Sequence, residues 1–266
     1  MLRVVDTHAH LADLEDLDGA IRRAEEAAVF AIVAAGTSFE SNMKTLQIAE
    51  KYANSPVKVL PALGLHPWGL EKEKIEPTIL QIKQNIEEAA GVGEVGLDYW
   101  LKDVRKDPVK QQIQQLAFGA TLALAKQFDK PVTVHSRGAW DDCFDLVVNS
   151  GAKRAIFHWF SGPVSLLKRI VDRGFYVSAT PAVAHSKDHR AAILEAPLES
   201  LVLETDSPVK YGEMVSEPKD VAMTLSEISK LKHIAEDKIA EVTTSNFLLL
   251  FNHCFERDES PRCPDS

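Results

Sequence analysis

Apolar, β-branched runs alternate with longer amphipathic segments along almost the whole chain, and this alternation restricts the fold more than any other feature. The first run, RVVDTHAH, spans 3–10. VFAIVAAG (29–36), VKVLPALGLHP (57–67), GVGEVGLD (91–98), PVTVHS (131–136), AIFHWF (155–160), FYVSAT (175–180) and LVLETD (201–206) follow. Runs this apolar suit strands buried on both faces of a parallel sheet. Helical periodicity fills 17–28, 39–53, 76–90, 108–128, 138–150 and 163–173, then 217–231 and 235–251 after the last run. Parallel neighbours need a crossover, usually a helix. Eight such units predict an α/β fold, a single-domain (β/α)8 TIM barrel, with an open doubly wound sheet as the alternative. The length of 266 residues suits one barrel. It is expected over 1–256, with the polar RDESPRCPDS (257–266) as a fraying tail.

Within GVGEVGLDYW (91–100), Gly91, Gly93 and Gly96 match the G-x-G-x-x-G spacing of a dinucleotide turn. Such a turn follows a strand and opens a helix. Here the glycines lie inside the strand, and the acid expected about twenty residues on is replaced by QLAFGA (115–120). The match is therefore coincidental, and what it leaves is Glu94, a charge in an apolar strand.

An unpaired buried carboxylate is costly, and the groups able to satisfy Glu94 lie at strand ends. Asp6, His8 and His10 alternate along the first run and are expected on one face. His66, His135, His158 and Asp206 end the third, fifth, sixth and eighth runs. In a barrel these carboxyl ends meet at one rim, where active sites sit. Imidazole with carboxylate suits Zn²⁺, Mn²⁺, Fe²⁺ or Co²⁺, with Mg²⁺ admissible at the oxygen-rich half. A bridging carboxylate favours two divalent ions, and Glu94 is the natural bridge. The cysteines, Cys143, Cys254 and Cys263, form no C-x-x-C, so neither a zinc knuckle nor a disulfide framework is expected.

Thirty Lys and Arg against 39 Asp and Glu leave a net charge of −9. That sign argues against wrapping duplex DNA; any nucleic-acid contact must be local. No run is long enough to span a membrane and no signal peptide is visible, so the cytoplasm is the expected location. Oligomeric state is not legible.

Taken together, DTHAH (6–10), GLHP (64–67), GEVGLDY (93–99), PVTVHSR (131–137), HWFSG (158–162) and ETDSP (204–208) resemble the TatD family of metal-dependent hydrolases, within the amidohydrolase superfamily. QQLAFGATLALAKQFDKP (114–131) and TSNFLLLF (244–251) are also family-like. The resemblance implies a binuclear barrel hydrolase, often a deoxyribonuclease. In it His8, His10 and Asp206 hold one ion, His135 and His158 the other, and Glu94 bridges. Trp159 stands where cysteine is commoner, and SPVKYGEM (207–214) lacks a proline many members carry soon after the aspartate. Both departures touch loops lining the substrate cleft.

The implied chemistry is in-line attack of water on phosphorus. Asp206 orients the nucleophile and takes its proton, alongside Glu94 and His66 as catalytic groups. His66 also contacts a phosphate or the leaving oxygen, Arg137 an anionic oxygen, and Asp98 the substrate. Asp6 and Glu204 are expected to fix histidine tautomers. Trp68, Trp100, Trp140 and Trp159 follow strands three to six. With Lys102, Arg105, Lys106, Lys187 and Arg190 they form a platform for unstacked bases, on which Trp68 and Trp100 bind substrate. The first functional reading is a 3′–5′ exodeoxyribonuclease on single-stranded or frayed DNA ends, with RNA as a further substrate. The alternatives are a hydrolase of a carboxylic ester, amide or lactone, such as an aminoacyl-tRNA deacylase, and a non-catalytic metal-binding scaffold.

Overall fold

Each apolar run becomes a strand in the computed structural model, which describes residues 3–255. The tail expected at 257–266 lies outside the described residues. The strands are β1 (Val4–Ala9), β2 (Val29–Ala35), β3 (Lys58–Leu65), β4 (Gly91–Asp98), β5 (Val132–Arg137), β6 (Ala155–Phe157), β7 (Tyr176–Ala179) and β8 (Leu201–Leu203). They pair in parallel and in sequence order from β1 to β8. A parallel bridge between Ala9 and Ser207 brings the last strand's exit back to the first. His10 N–H donates to Ser207 O at 2.7 Å and Asp206 N–H to His8 O at 2.9 Å. The sheet thus curls into the expected (β/α)8 barrel, and the seam runs through three of the expected site residues.

The helices are α1 (Leu17–Glu26), α2 (Phe39–Lys51), α3 (Lys72–Asn85), α4 (Pro108–Gln127), α5 (Trp140–Ser150), α6 (Val164–Asp172), α7 (Lys187–Glu195), α8 (Val221–Lys232) and α9 (Glu236–Phe251). Asp107 caps α4 by accepting from Val109 and Lys110 N–H, with Pro108 in the first turn, where its missing donor costs nothing. α3 begins a turn earlier than Pro77 suggests and carries that proline inside. α7 lies where only a loop was expected. Ser186 caps it, so Lys187 and Arg190 belong to its first turns. A short hairpin, β9 (Lys210–Tyr211) with β10 (Met214–Val215), follows β8.

Phe247, Leu250 and Phe251 of α9 pack with Val5, Ala31, Ala62, Ile156 and Val202 from the strands. Asn246 donates to the carbonyls of Leu198, in the turn before β8, and Leu201, at its start, and Thr244 to that of Arg3, just before β1. α9 therefore plugs the amino end of the barrel with aromatic side chains, each fully buried one worth about 1.5–3 kcal/mol. The carboxyl end remains as the mouth. No helix among the described residues is long and apolar enough to cross a membrane.

Candidate metal centre

The glycines around Glu94 have a packing cause. A Cβ on Gly64 would lie 2.4 Å from both Glu94 N and O and 2.5 Å from Gly36 O. One on Gly96 would lie 1.9 Å from His135 O. β3, β4 and β5 approach so closely at these glycines that only hydrogen fits, and the Glu94 backbone lies directly against Gly64. At the ends of β6 and β8 the chain turns abruptly. Trp159 (φ 42°) and Asp206 (φ 53°) adopt left-handed backbone, rarely populated by residues other than glycine. The strands therefore end at Phe157 and Leu203, short of the expected His158 and Asp206.

Glu94, 2% exposed, faces a different set of donors with each oxygen. Its Oε2 lies 3.3 Å from both His8 Nε2 and His10 Nε2. Asp206 Oδ1 stands 3.4 and 3.3 Å from the same nitrogens, which are 3.3 Å apart. Its Oε1 lies 2.7 Å from His135 Nδ1, 2.9 Å from His158 Nε2 and 3.1 Å from His66 Nε2. All six expected ligands converge, and His66 stands among them. Burial opposes ionisation of Glu94, but the surrounding imidazoles outweigh it and hold the carboxyl well below its ordinary range.

The outer hydrogen bond of each imidazole decides which nitrogen offers a lone pair to the centre. His10 Nδ1 lies 3.2 Å from the carbonyl of Ala35, which can only accept, so in the neutral ring the lone pair is on Nε2. His135 Nε2 lies 3.1 Å from Asp98 Oδ2, which leaves Nδ1 as the inward lone pair. His158 Nδ1 lies 3.3 Å from Glu204 Oε1, which leaves Nε2 inward. His66 is the reverse. Its Nδ1 accepts from Trp68 N–H at 3.1 Å, so the proton of the neutral ring is on Nε2, pointing at Glu94. Three rings are set to ligate and His66 is set to donate.

A divalent ion fits this donor set. Ligands of a tetrahedral ion at about 2.0–2.2 Å stand roughly 3.3–3.6 Å apart. The Glu94–His8–His10–Asp206 group shows five of the six edges of such a tetrahedron at 3.3–3.4 Å. The His135–His158 half is tighter, at hydrogen-bond spacing, and needs to open by roughly a few tenths of an ångström. Without a cation, ring protons take its place: burial opposes protonation of His10 and His158, but the facing carboxylates outweigh it and raise both well above their ordinary value. His8 Nδ1 and Glu204 Oε2 are buried with no hydrogen-bond partner among the described residues.

The remaining expected site residues divide. Glu204 accepts from Trp159 N–H at 2.9 Å and its Oε1 lies 3.3 Å from His158 Nδ1. Asp6 does not touch an imidazole. β1 slips register between Asp6 and Ala9, and the Asp6 carboxylate accepts from Thr205 N–H at 2.9 Å and Thr205 Oγ1 at 2.6 Å. It secures the segment that carries Asp206 instead. Asp98, expected against substrate, is fully buried. Its Oδ2 meets His135 and accepts from Trp68 Nε1 at 2.6 Å, and its Oδ1 accepts from Trp100 N–H at 2.9 Å. Protein donors occupy both oxygens. The signal for this was its parity with Glu94, four residues earlier on the same strand.

Trp68 and Trp100 are 53% and 62% exposed, and the Arg137 guanidinium lies 5.9 Å from the Trp100 ring centre. Trp140 instead packs on Phe160, and Trp159 on Tyr211. Only half of the expected aromatic platform is thus open to solvent. His189, which the sequence did not single out, ties two rim loops together. Its Nε2 accepts from Thr180 N–H at 3.1 Å and its Nδ1 lies 2.8 Å from Phe160 O.

Residues 5–252 match the family model described as TatD related DNase. Deoxyribonuclease TATDN3 of Homo sapiens is 32% identical over 262 residues, covering 93% of this chain and 94% of the relative. An uncharacterized metal-dependent hydrolase of Methanocaldococcus jannaschii is 30% identical, over 94% of this chain and 97% of its own. The crystal structure of YJJV, a TatD homolog from Escherichia coli K12, superposes with a TM-score of 0.84 at 29% identity, covering 94% of this chain and 98% of that one. With sequence and barrel agreeing over nearly their full lengths, the chain belongs to the TatD family of metal-dependent hydrolases.

Proposed function

We propose that the chain is a phosphodiesterase that removes nucleotides from the 3′ end of single-stranded or frayed DNA, using two divalent ions. The observation that carries this reading is the opposed orientation of the imidazoles: the outer partners of His10, His135 and His158 leave the lone pair of each neutral ring aimed at Glu94, and that of His66 leaves a proton aimed there. His8, His10 and Asp206 would hold one ion, His135 and His158 the other, and Glu94 both. Bound there, the ions would lower the pKa of a water between them and offset charge growing on the phosphoryl oxygens.

The chain's own groups supply the rest. Asp206, its carboxylate 9% exposed at the mouth, orients the attacking water and accepts its proton. His66 Nε2–H is placed to hydrogen-bond the leaving oxygen as the ester bond breaks. Asp98 and Glu204 keep their histidines in the ligating tautomer, as outer carboxylates do around catalytic metals. Arg137 and Trp100 offer a cation over an aromatic face, which suits a flipped-out nucleotide better than a stacked duplex. This local charge would let an acidic protein hold a polyanion.

A matrix of metals (Mn²⁺, Mg²⁺, Zn²⁺, Co²⁺) against substrates tests the reading, with Glu94→Ala as the blank. Chelator-sensitive shortening of a 5′-labelled single strand from its 3′ end is expected. Turnover of carboxylic esters without nucleotide release would move the activity to carbon. Inertness toward every substrate in every metal would leave only a metal-binding scaffold.

A further inference from the structure

Between the start of α2 and the loop from β3 to α3 lies a cavity of about 260 Å³, opening beside His66. Its apolar wall is Phe39, Leu65, Trp68, Leu70 and Pro77. Phe39 and Trp68 are 42% and 53% exposed, so neither is there to fill the core. An exposed indole ordinarily turns freely, but this one does not. Trp68 Nε1 is tied at 2.6 Å to the fully buried Asp98, and its ring meets that of His66 edge-on, 4.9 Å between centres. The wall is therefore ordered in advance, and an occupant stacking on it does not pay to immobilise it.

The charged lining is Glu40, Glu71, Glu73 and Lys74, with Lys74 already paired to Glu71 at 3.0 Å. Net negative charge repels a phosphate from this cavity, whereas the donor cluster next door would attract one once it holds divalent ions. What suits both parts of the lining is a flat uncharged ring with N–H donors on its edge. We propose that this cavity receives the unstacked terminal base of the substrate strand. The ring lies against Trp68 and Phe39, and the edge amine faces the carboxylates. Adenine, cytosine and guanine carry an exocyclic amine and thymine does not, so the cavity ranks thymine last. This rests on the nuclease reading above and adds the base subsite to it.

The test uses the full chain loaded with Mn²⁺, and single strands ending in A, C, G, T or a reduced abasic residue. For the unaltered protein, kcat/KM on amine-bearing ends should exceed that on abasic ends by about tenfold or more, since stacking on an aromatic side chain is worth at least that order. In Phe39→Ala the ratio should shrink at least about fivefold. Phe39 is a half-open residue at a helix start, so the fold tolerates its loss. Glu40→Gln, at an exposed position, should reduce the discrimination against thymine and provides an independent reading. Equal ratios in the unaltered protein and Phe39→Ala, or a preference for thymine, overturn the subsite and leave the nuclease reading standing. Release of nucleotide from none of the strands overturns the nuclease reading and the subsite with it.

Discussion

Replacing Asp98 with Asn isolates a residue that touches neither substrate nor ion. The carboxylate receives three hydrogens: from His135 Nε2 and Trp68 Nε1 on Oδ2, and from Trp100 N on Oδ1. An asparagine of the same shape has one acceptor oxygen. Either its amide hydrogens confront Trp100 N–H, or the side chain flips and they confront His135 and Trp68. A hydrogen bond to a charged group contributes about 1.5–3 kcal/mol, and loss of such an outer partner costs about 10–100-fold in metal affinity. The two figures agree, since tenfold is about 1.4 kcal/mol. The metal concentration for half-maximal activity should rise by about 10–100-fold, with most of kcat recovered at saturation. Buffered-metal titrations of phosphodiester hydrolysis read this directly, and tryptophan emission reports the release of Trp68. An unchanged metal requirement combined with lost activity would refute the positioning role, because damage elsewhere cannot be filled by more ion.

Two further predictions concern stability. Burial depresses the His189 pKa to about 4. Above the unfolded value of about 6.5 both states are neutral and the group contributes nothing to pH dependence. Below it the unfolded chain takes up a proton that the folded chain refuses, so stability falls with pH, by about 2 kcal/mol at pH 5. Urea midpoints at pH 7 and 5 should show this component in the unaltered protein and not in His189→Gln; equal slopes would assign the acid sensitivity elsewhere. Gly96→Ala sets a methyl group against the carbonyl of His135 and forces φ of 149° on alanine. It should cost at least the upper part of the overpacking range of about 1–3 kcal/mol, and unaltered urea stability would show that β4 and β5 can separate.

The barrel was legible because parallel strands sheltered on both faces leave unbroken apolar runs in the chain. The donor positions were legible because a charged residue inside such a run has few explanations. What stayed hidden depends on contacts distant in sequence. The proton positions on His10, His135 and His158 are set by Ala35, Asp98 and Glu204, and no spacing rule connects them. Strict alternation places Asp6 with the histidines, and the slipped register of β1 defeats it. The apolar runs ending at His158 and Asp206 hid the left-handed turns that take both out of the ladder. α7 leaves little trace in the sequence because KDHRAAILE is short and largely polar.

The proton on His66 is fixed by a main-chain amide, that of residue 68, while the side chain of the same residue faces the cavity. Any amino acid except proline brings that amide. Residue 68 could therefore change with the shape of what the mouth admits without moving the hydrogen that His66 presents, losing only the indole hydrogen that Trp68 gives to Asp98. On the proposed reading, specificity and acid chemistry share one position but reach it through different atoms.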